Sequence, residues 1–364
     1  MAALTVGPRV RRALRLAFGA AIVAGTVGIV GPGSLLRGLT AVSPAAIAAA
    51  VLLTAVATGA AVWRWRTVAR ELGLPVPWRA ALAAYYRSQF VNSVLPGGVI
   101  GDLHRAYRHG APRGELAIAA RSVATERIAG QLVQAGATVV VLAALGLASS
   151  HGGWPAAVVW GSGAAAASIV VALVTVALVT VVLIAVAGIA AATPRGRRRL
   201  TRELSLLRAV FRSPGSSISI VVTSLIVVAA HAGTFVVACL AVGITAPPRE
   251  LVGLALVALA AGSLPINVGG WGPREAASAT AFGAIGLGAG AGVAASAAFG
   301  VLAIVAVLPG AVVLIADRVG AAHRASAADR ASAADRASAA DRAGAAEPAR
   351  PIRTHRALPE GSPA

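Results

Sequence analysis

The sequence predicts an all-α fold: a polytopic transmembrane helical bundle of about six to eight spans, with one or two re-entrant broken-helix loops compatible with an inverted repeat. Three observations predict it. Of the 364 residues, 57% are hydrophobic and only 12% are charged, with mean hydropathy +0.80. A water-soluble domain has about twice that charged share, and no soluble core can bury so much apolar surface. Several apolar runs exceed the roughly 20 residues that cross a hydrocarbon core. Between the runs the basic residues fall in short blocks, the distribution expected where positive charge stays on the cytoplasmic side.

All of the 32 basic residues are Arg, and the net charge is +19. The blocks carry no interleaved aromatic platform for stacking bases, so nucleic acid is excluded as a partner. The lone Cys239 sits in an apolar run, which excludes an internal disulfide and argues against a cysteine metal site. No spacing of His and Cys suits a metal, so neither metal nor cofactor is expected.

At the N-terminus Arg9, Arg11, Arg12 and Arg15 precede an apolar stretch at 17–30. Gly31-Pro32-Gly33 is a poor cleavage site, so this stretch reads as an uncleaved first span. Further apolar segments follow at 42–63, 115–148, 155–192, 216–243 and 293–316, and two more, 78–108 and 250–290, are interrupted by Gly and Pro. The first Arg cluster places the N-terminus inside and leaves the 31–42 link outside. Arg64, Arg66 and Arg70 then return the chain to the inside. The block of seven arginines from Arg195 to Arg212 is the strongest cytoplasmic marker.

Segment 78–108 decides the topology. A single crossing would put Arg105, Arg108, Arg113 and later the 195–212 block outside. Entry from the cytoplasm, a break at Leu95-Pro96-Gly97-Gly98 and a return keep every Arg block inside. Such backbone is tolerated at membrane depth only where protein or a wet cavity surrounds it. Segment 250–290 breaks likewise between Leu264 and Pro273, and here two full spans or one re-entrant loop from the outside fit equally. Segment 155–192 reads as one tilted span or an interfacial piece followed by a span. Residues 1–320 thus form a membrane domain. Residues 321–364 repeat Arg-Ala-Ser-Ala-Ala-Asp and end Pro-rich, a low-complexity cytoplasmic tail.

A charge at mid-bilayer costs about 2.5–3.5 kcal/mol on insertion scales, so intramembrane charges are functional candidates. One cluster joins Gln89, Asn92 and Ser93 on the entering half-helix to Asp102, placed to cap the returning one, and Arg105 a turn later. A second is Glu126-Arg127 with Gln131 and Gln134. Adjacent helix positions point about 100° apart, so Glu126 and Arg127 need other partners. In the third, Gly269-Gly270-Trp271-Gly272 leads into Pro273-Arg274-Glu275, where Pro starts a helix whose free N–H groups, with Arg274, suit a phosphate. There Glu275 is free to balance Arg105 or Arg127. Arg121 reads as a snorkelling interfacial residue and His231 as structural. No Gly-x-Ser-x-Gly elbow or Walker loop is present, and no catalytic residue is expected.

In these three clusters the chain resembles the transmembrane domain of the lysylphosphatidylglycerol synthase family, also described as flippase-like. That family carries a Leu-Pro-Gly-Gly…Gly-Asp…Arg motif, matched by Leu95, Pro96, Gly97, Gly98, Gly101, Asp102 and Arg105. A Glu-Arg pair is matched by Glu126 and Arg127, and a Gly-Gly-x-Gly-x-Arg-Glu motif by Gly269, Gly270, Gly272, Arg274 and Glu275. Ile100 departs from the pattern, where the family more often has Gly. Order and spacing agree over roughly residues 10–318. The resemblance implies binding of a phosphate-bearing head group by these residues together with Asn92, and movement of an aminoacylated phospholipid or a polyprenyl-phosphate glycolipid between leaflets of the plasma membrane. Partners are then anionic or phosphate-bearing membrane lipids, with a lipid-modifying enzyme as a further one. The tail is too short for the soluble aminoacyl-transfer domain of bifunctional relatives, so a transporter-like module rather than an enzyme is expected. Alternatives are an accessory subunit for a lipid-linked glycosyltransferase and a membrane-embedded lipid-phosphate transferase.

Overall fold

The structure is a computed structural model that describes residues 28, 32–95, 98–149, 208–263 and 271–320, with single positions among 201–206 and 323–330. The chain divides into two units, 1–313 and 314–364. Among the described residues of the second, 314–320, His323, Ser326 and Arg330 are helical. The rest of the expected tail lies outside the described residues, as do the expected first span and segment 155–192.

Regular structure among the described residues is helical. In order come α1 (Pro32–Thr40), α2 (Pro44–Glu71), α3 (Trp78–Val94), α4 (Ile100–Gly110), α5 (Leu116–Ser149), α6 (Pro214–Ala241), α7 (Pro248–Gly262), α8 (Pro273–Ala284) and α9 (Ala289–Ala306). Four stretches are long and apolar enough to cross a membrane: Pro44–Glu71, Leu116–Leu145, Pro214–Ala241 and Ala289–Gly320. With the other helices they make a polytopic helical bundle. The 31–42 link, expected only as a connection, is itself helical in α1 and packs on α9. There a Cβ at Gly38 would lie 2.2 Å from the Ala294 carbonyl oxygen.

Both interrupted segments are helical hairpins. Helices α3 and α4 have 17 and 11 residues, and α7 and α8 have 15 and 12. At about 1.5 Å per residue each is shorter than a roughly 30 Å hydrocarbon core. The α3–α4 pair is held at its break. Asn92 Oδ1 accepts from the Gly101 N–H at 2.7 Å, and a Cβ on Gly101 would meet the Ser88 carbonyl oxygen at 2.2 Å.

The order of elements repeats. Long helix, hairpin, long helix runs through α2–α5 and again through α6–α9. Pro44 opens α2 after Ser43, and Pro214 opens α6 after Ser213. Both helices end on a left-handed glycine, Gly73 at φ 82° and Gly243 at φ 79°. The residue after each donates back five positions, Leu74 to Ala69 at 2.8 Å and Ile244 to Cys239 at 3.0 Å. The hairpins close the same way: Gly114 precedes Glu115, which donates to Gly110, and Gly286 precedes Leu287, which donates to Phe282. This helix stop needs positive φ, which only glycine adopts without strain.

Helices α2 and α6 run antiparallel. Ser216 donates to Glu71, Arg64 to Ser224, and Leu53 lies against Gly233, so the partner's number rises as the first falls. The two halves therefore repeat in opposite directions. Small residues bring the backbones close, as at Gly292, where a Cβ would lie 2.3 Å from the Ser278 carbonyl oxygen. One apolar core gathers Phe235, Phe282 and Phe299 with buried alanines of α6–α9. Another gathers Val62, Trp65 and Tyr85 between α2 and the first hairpin.

Candidate functional site

The charges of the first half form one network. Glu126, fully buried on α5, receives Arg64 Nε at 3.0 Å and Arg64 Nη2 as well as the Tyr85 hydroxyl at 3.1 Å on Oε1. Its Oε2 receives Arg105 Nη2 at 3.1 Å. Asp102 on α4 receives Arg127 Nη2 at 2.8 Å, Arg105 Nη2 at 3.1 Å, the Ser88 hydroxyl at 2.9 Å and the Asn92 amide at 3.2 Å. Arg64 Nη1 also reaches Ser224 Oγ at 2.9 Å, tying α2 to α6. Three arginines against two carboxylates leave the network one positive charge.

Arg105, 1% exposed, is enclosed by aromatic faces. Its guanidinium carbon lies 4.5 Å from the ring centres of both Trp65 and Tyr85. Its Nε and Nη1 have no hydrogen-bond partner among the described residues. Two desolvated cation–π contacts, each worth up to about 2 kcal/mol, offset that deficit.

The second half holds a smaller cluster. Arg274 Nε donates to Ser296 Oγ at 2.9 Å, and Nη2 to Glu275 Oε1 at 2.7 Å. Glu275 Oε2 takes the Gly272 N–H at 2.6 Å, which fixes the start of α8. Phe299 lies under the guanidinium at 4.9 Å.

Between the clusters lies a cavity of about 310 Å³. Arg64, Arg127 and Arg274 all reach its wall, with Gln89, Gln131 and Gln134 among the other lining residues. It sits where α2 and α6 cross, between Ala57 and Ala61 on one side and Val227, Val228 and His231 on the other. On α5 the lining positions Arg127, Gly130, Gln131 and Gln134 follow helical spacing, so they form one stripe. The Arg127 side chain is 40% exposed.

Several expectations change here. Asp102 does not cap α4; its carboxylate turns back to Ser88 and Asn92 on α3, because the close approach at Gly101 brings those groups within reach. Glu275 balances neither Arg105 nor Arg127. Arg274 lies on the same turn and takes it first. The Gly272 N–H, expected to be free for an anion, is occupied by Glu275. Arg121 pairs with Glu203, Nε to Oε2 at 2.6 Å. Asn92, Asp102, Arg105, Glu126 and Glu275 stand behind the wall rather than on it. Gly98 is in the first break at φ 60° and Gly272 in the second at φ 108°, whereas Pro96, Gly97, Gly269 and Gly270 lie outside the described residues.

Sequence reasoning missed Arg64 altogether, taking it for a cytoplasmic marker beside Arg66 and Arg70. Its helical register with Ala57 and Ala61 was the available signal, since that face is buried. His231 has a structural bond, Nδ1 to the Val227 carbonyl at 2.9 Å, and also lines the cavity. Outside the four spans, burial and then Arg113 push the half-buried His109 below the usual histidine range.

Fold and site together define a polytopic helical membrane protein with an arginine-lined cavity. Residues 12–310 match the family described as the lysylphosphatidylglycerol synthase TM region, and the chain belongs to that family. It is thus a membrane protein of lipid-related function. No curated protein and no solved structure gives a significant match.

Proposed function

We propose that the protein is a lipid translocator of the plasma membrane, with both termini cytoplasmic and no catalytic chemistry of its own. It binds a phosphate-bearing lipid head group in the cavity and passes it between leaflets. The single observation that supports this most is that Arg64, Arg127 and Arg274, drawn from both halves, share one cavity at the crossing of α2 and α6. Arg64 and Arg274 are buried and Arg127 is partly exposed, and the guanidinium fork suits phosphate.

The two hairpins are read as re-entrant loops that approach the cavity from opposite faces, as in inverted-repeat transporters. The first enters from the cytoplasm, the second from outside. Opening one hairpin at a time would expose the same site alternately, while the acyl chains stay in lipid. The acids behind the wall hold the arginines in place when the cavity is empty.

The test is purified protein in liposomes with an acyl-labelled anionic phospholipid in one leaflet. Faster loss of leaflet asymmetry than in empty liposomes is expected, abolished by Arg127→Gln. No acceleration sinks the translocator reading. Head-group binding without movement would instead assign an accessory role, and head-group turnover a transferase.

A further inference from the structure

The chain has 13 acidic residues, and three of them, Asp102, Glu126 and Glu275, pair with the arginines behind the cavity wall. Each is saturated: Glu126 accepts four hydrogen bonds, Asp102 at least four, and Glu275 bonds from Gly272, Arg274 and Ser296. A carboxylate has about four acceptor sites, so none remains for a ligand. Among the described residues no carboxylate lines the cavity. The stretches 1–27, 146–200 and 264–270 contain no Asp or Glu at all.

What the wall does offer is cationic and amidic. Counting Arg64, Arg105, Arg127 and Arg274 against the three acids leaves one net positive charge, the complement of a phosphodiester. Gln131 and Gln134 follow Arg127 along the α5 stripe, and neither amide has a hydrogen-bond partner among the described residues. Gln89 Oε1 is taken by Thr58 at 3.0 Å, which leaves its amide N–H groups for the cavity. Amides that both donate and accept match hydroxyls, whereas an ammonium needs an acceptor-rich or anionic partner. The volume, at the low end of the roughly 300–1,000 Å³ usual for ligand pockets, suits a phosphate with one small polar group.

We infer that the head group taken here is a phosphodiester carrying hydroxyls and no amine, a glycerol or sugar phosphate. This rests on the translocator reading for its location but not for its chemistry. An aminoacylated or ethanolamine head group would bring its ammonium into a net-positive wall without a free carboxylate.

Binding and movement are measured separately on the full-length protein. In detergent, short-chain phosphatidylglycerol, a polyprenyl-phosphate hexose, phosphatidylethanolamine and lysyl-phosphatidylglycerol are compared by equilibrium binding. At least one of the first two binds about tenfold or more tighter than either amine-bearing lipid, and which one wins identifies the source of the hydroxyls. Gln134→Glu, which supplies the missing carboxylate at the same size, should shift the preference about tenfold toward the amine lipids. Equal or tighter binding of lysyl-phosphatidylglycerol to the wild type overturns the inference, whether or not lipid moves. The preference without movement in liposomes keeps the inference and removes the translocator.

Discussion

The two halves share a backbone and differ in chemistry. Pro44 and Pro214, Gly73 and Gly243, and Gly114 and Gly286 open and close matching elements. In that alignment Arg64 corresponds to Thr234, whose hydroxyl turns back to the Ala230 carbonyl, and Glu126 corresponds to Ala298. The first half thus spreads five charges over three helices, α2, α4 and α5, with α6 attached through Ser224. The second concentrates two charges on adjacent residues of α8. Repetition fixes the frame and the cavity on its axis, while the polar residues are free to diverge. A network shared between helices couples them, whereas a local pair leaves its surroundings independent.

The largest effect expected from this difference is at Glu126. Glu126→Gln leaves Arg64 and Arg105 without their shared partner and should cost about 3–5 kcal/mol of stability, read as a large drop in melting temperature in detergent. Combining it with Arg64→Gln should cost clearly less than the sum of the two single changes. Strict additivity would show that the shared network is not a unit.

In the second half the whole pair can be removed. Arg274→Met with Glu275→Gln should lie within about 1–2 kcal/mol of the wild type in stability, because a buried pair replaced together leaves no lone charge. Arg274→Met alone should be the worse variant. A double variant as damaged as the Glu126 variant would erase the contrast between the halves.

Glycines at the two hairpins sharpen it next. Gly101→Ala places a methyl 2.2 Å from the Ser88 carbonyl oxygen, a backbone contact that cannot yield. It should cost about 1–3 kcal/mol by overpacking. Among the described residues Gly262→Ala would meet only the Arg274 side chain at 3.7 Å, ordinary contact, and should be nearly neutral. Melting curves of both variants decide whether the first hairpin is the tighter one.

The smallest effect is with pH. His109 is held below its ordinary value near 6.5, so its neutral form is the one the fold favours. Its contribution is full above about pH 6.5 and is lost as pH falls through the lower folded value. The corresponding position in the second half is Ala281. A modest fall in melting temperature on acidification, absent in His109→Gln, would assign the titration to the first half alone.

Membrane class, helical content and both broken segments were legible in the chain, because bilayer thickness and backbone hydrogen bonding constrain composition and length directly. The Leu-Pro-Gly-Gly and Gly-Gly-x-Gly breaks, the Glu126–Arg127 pair and Arg274-Glu275 were visible as costly charges beside helix breaks. Which charges meet was decided only by tertiary structure. Arg64 looked like a topological marker until the packing of α2 against both α5 and α6 carried it to Glu126 and Ser224. Asp102 looked like a cap until the contact at Gly101 turned it toward α3. Arg105 was a candidate ligand until Trp65 and Tyr85 enclosed it. Sequence spacing orders residues along one helix, but an ion pair between helices depends on their register and crossing, which small-residue packing sets at a distance.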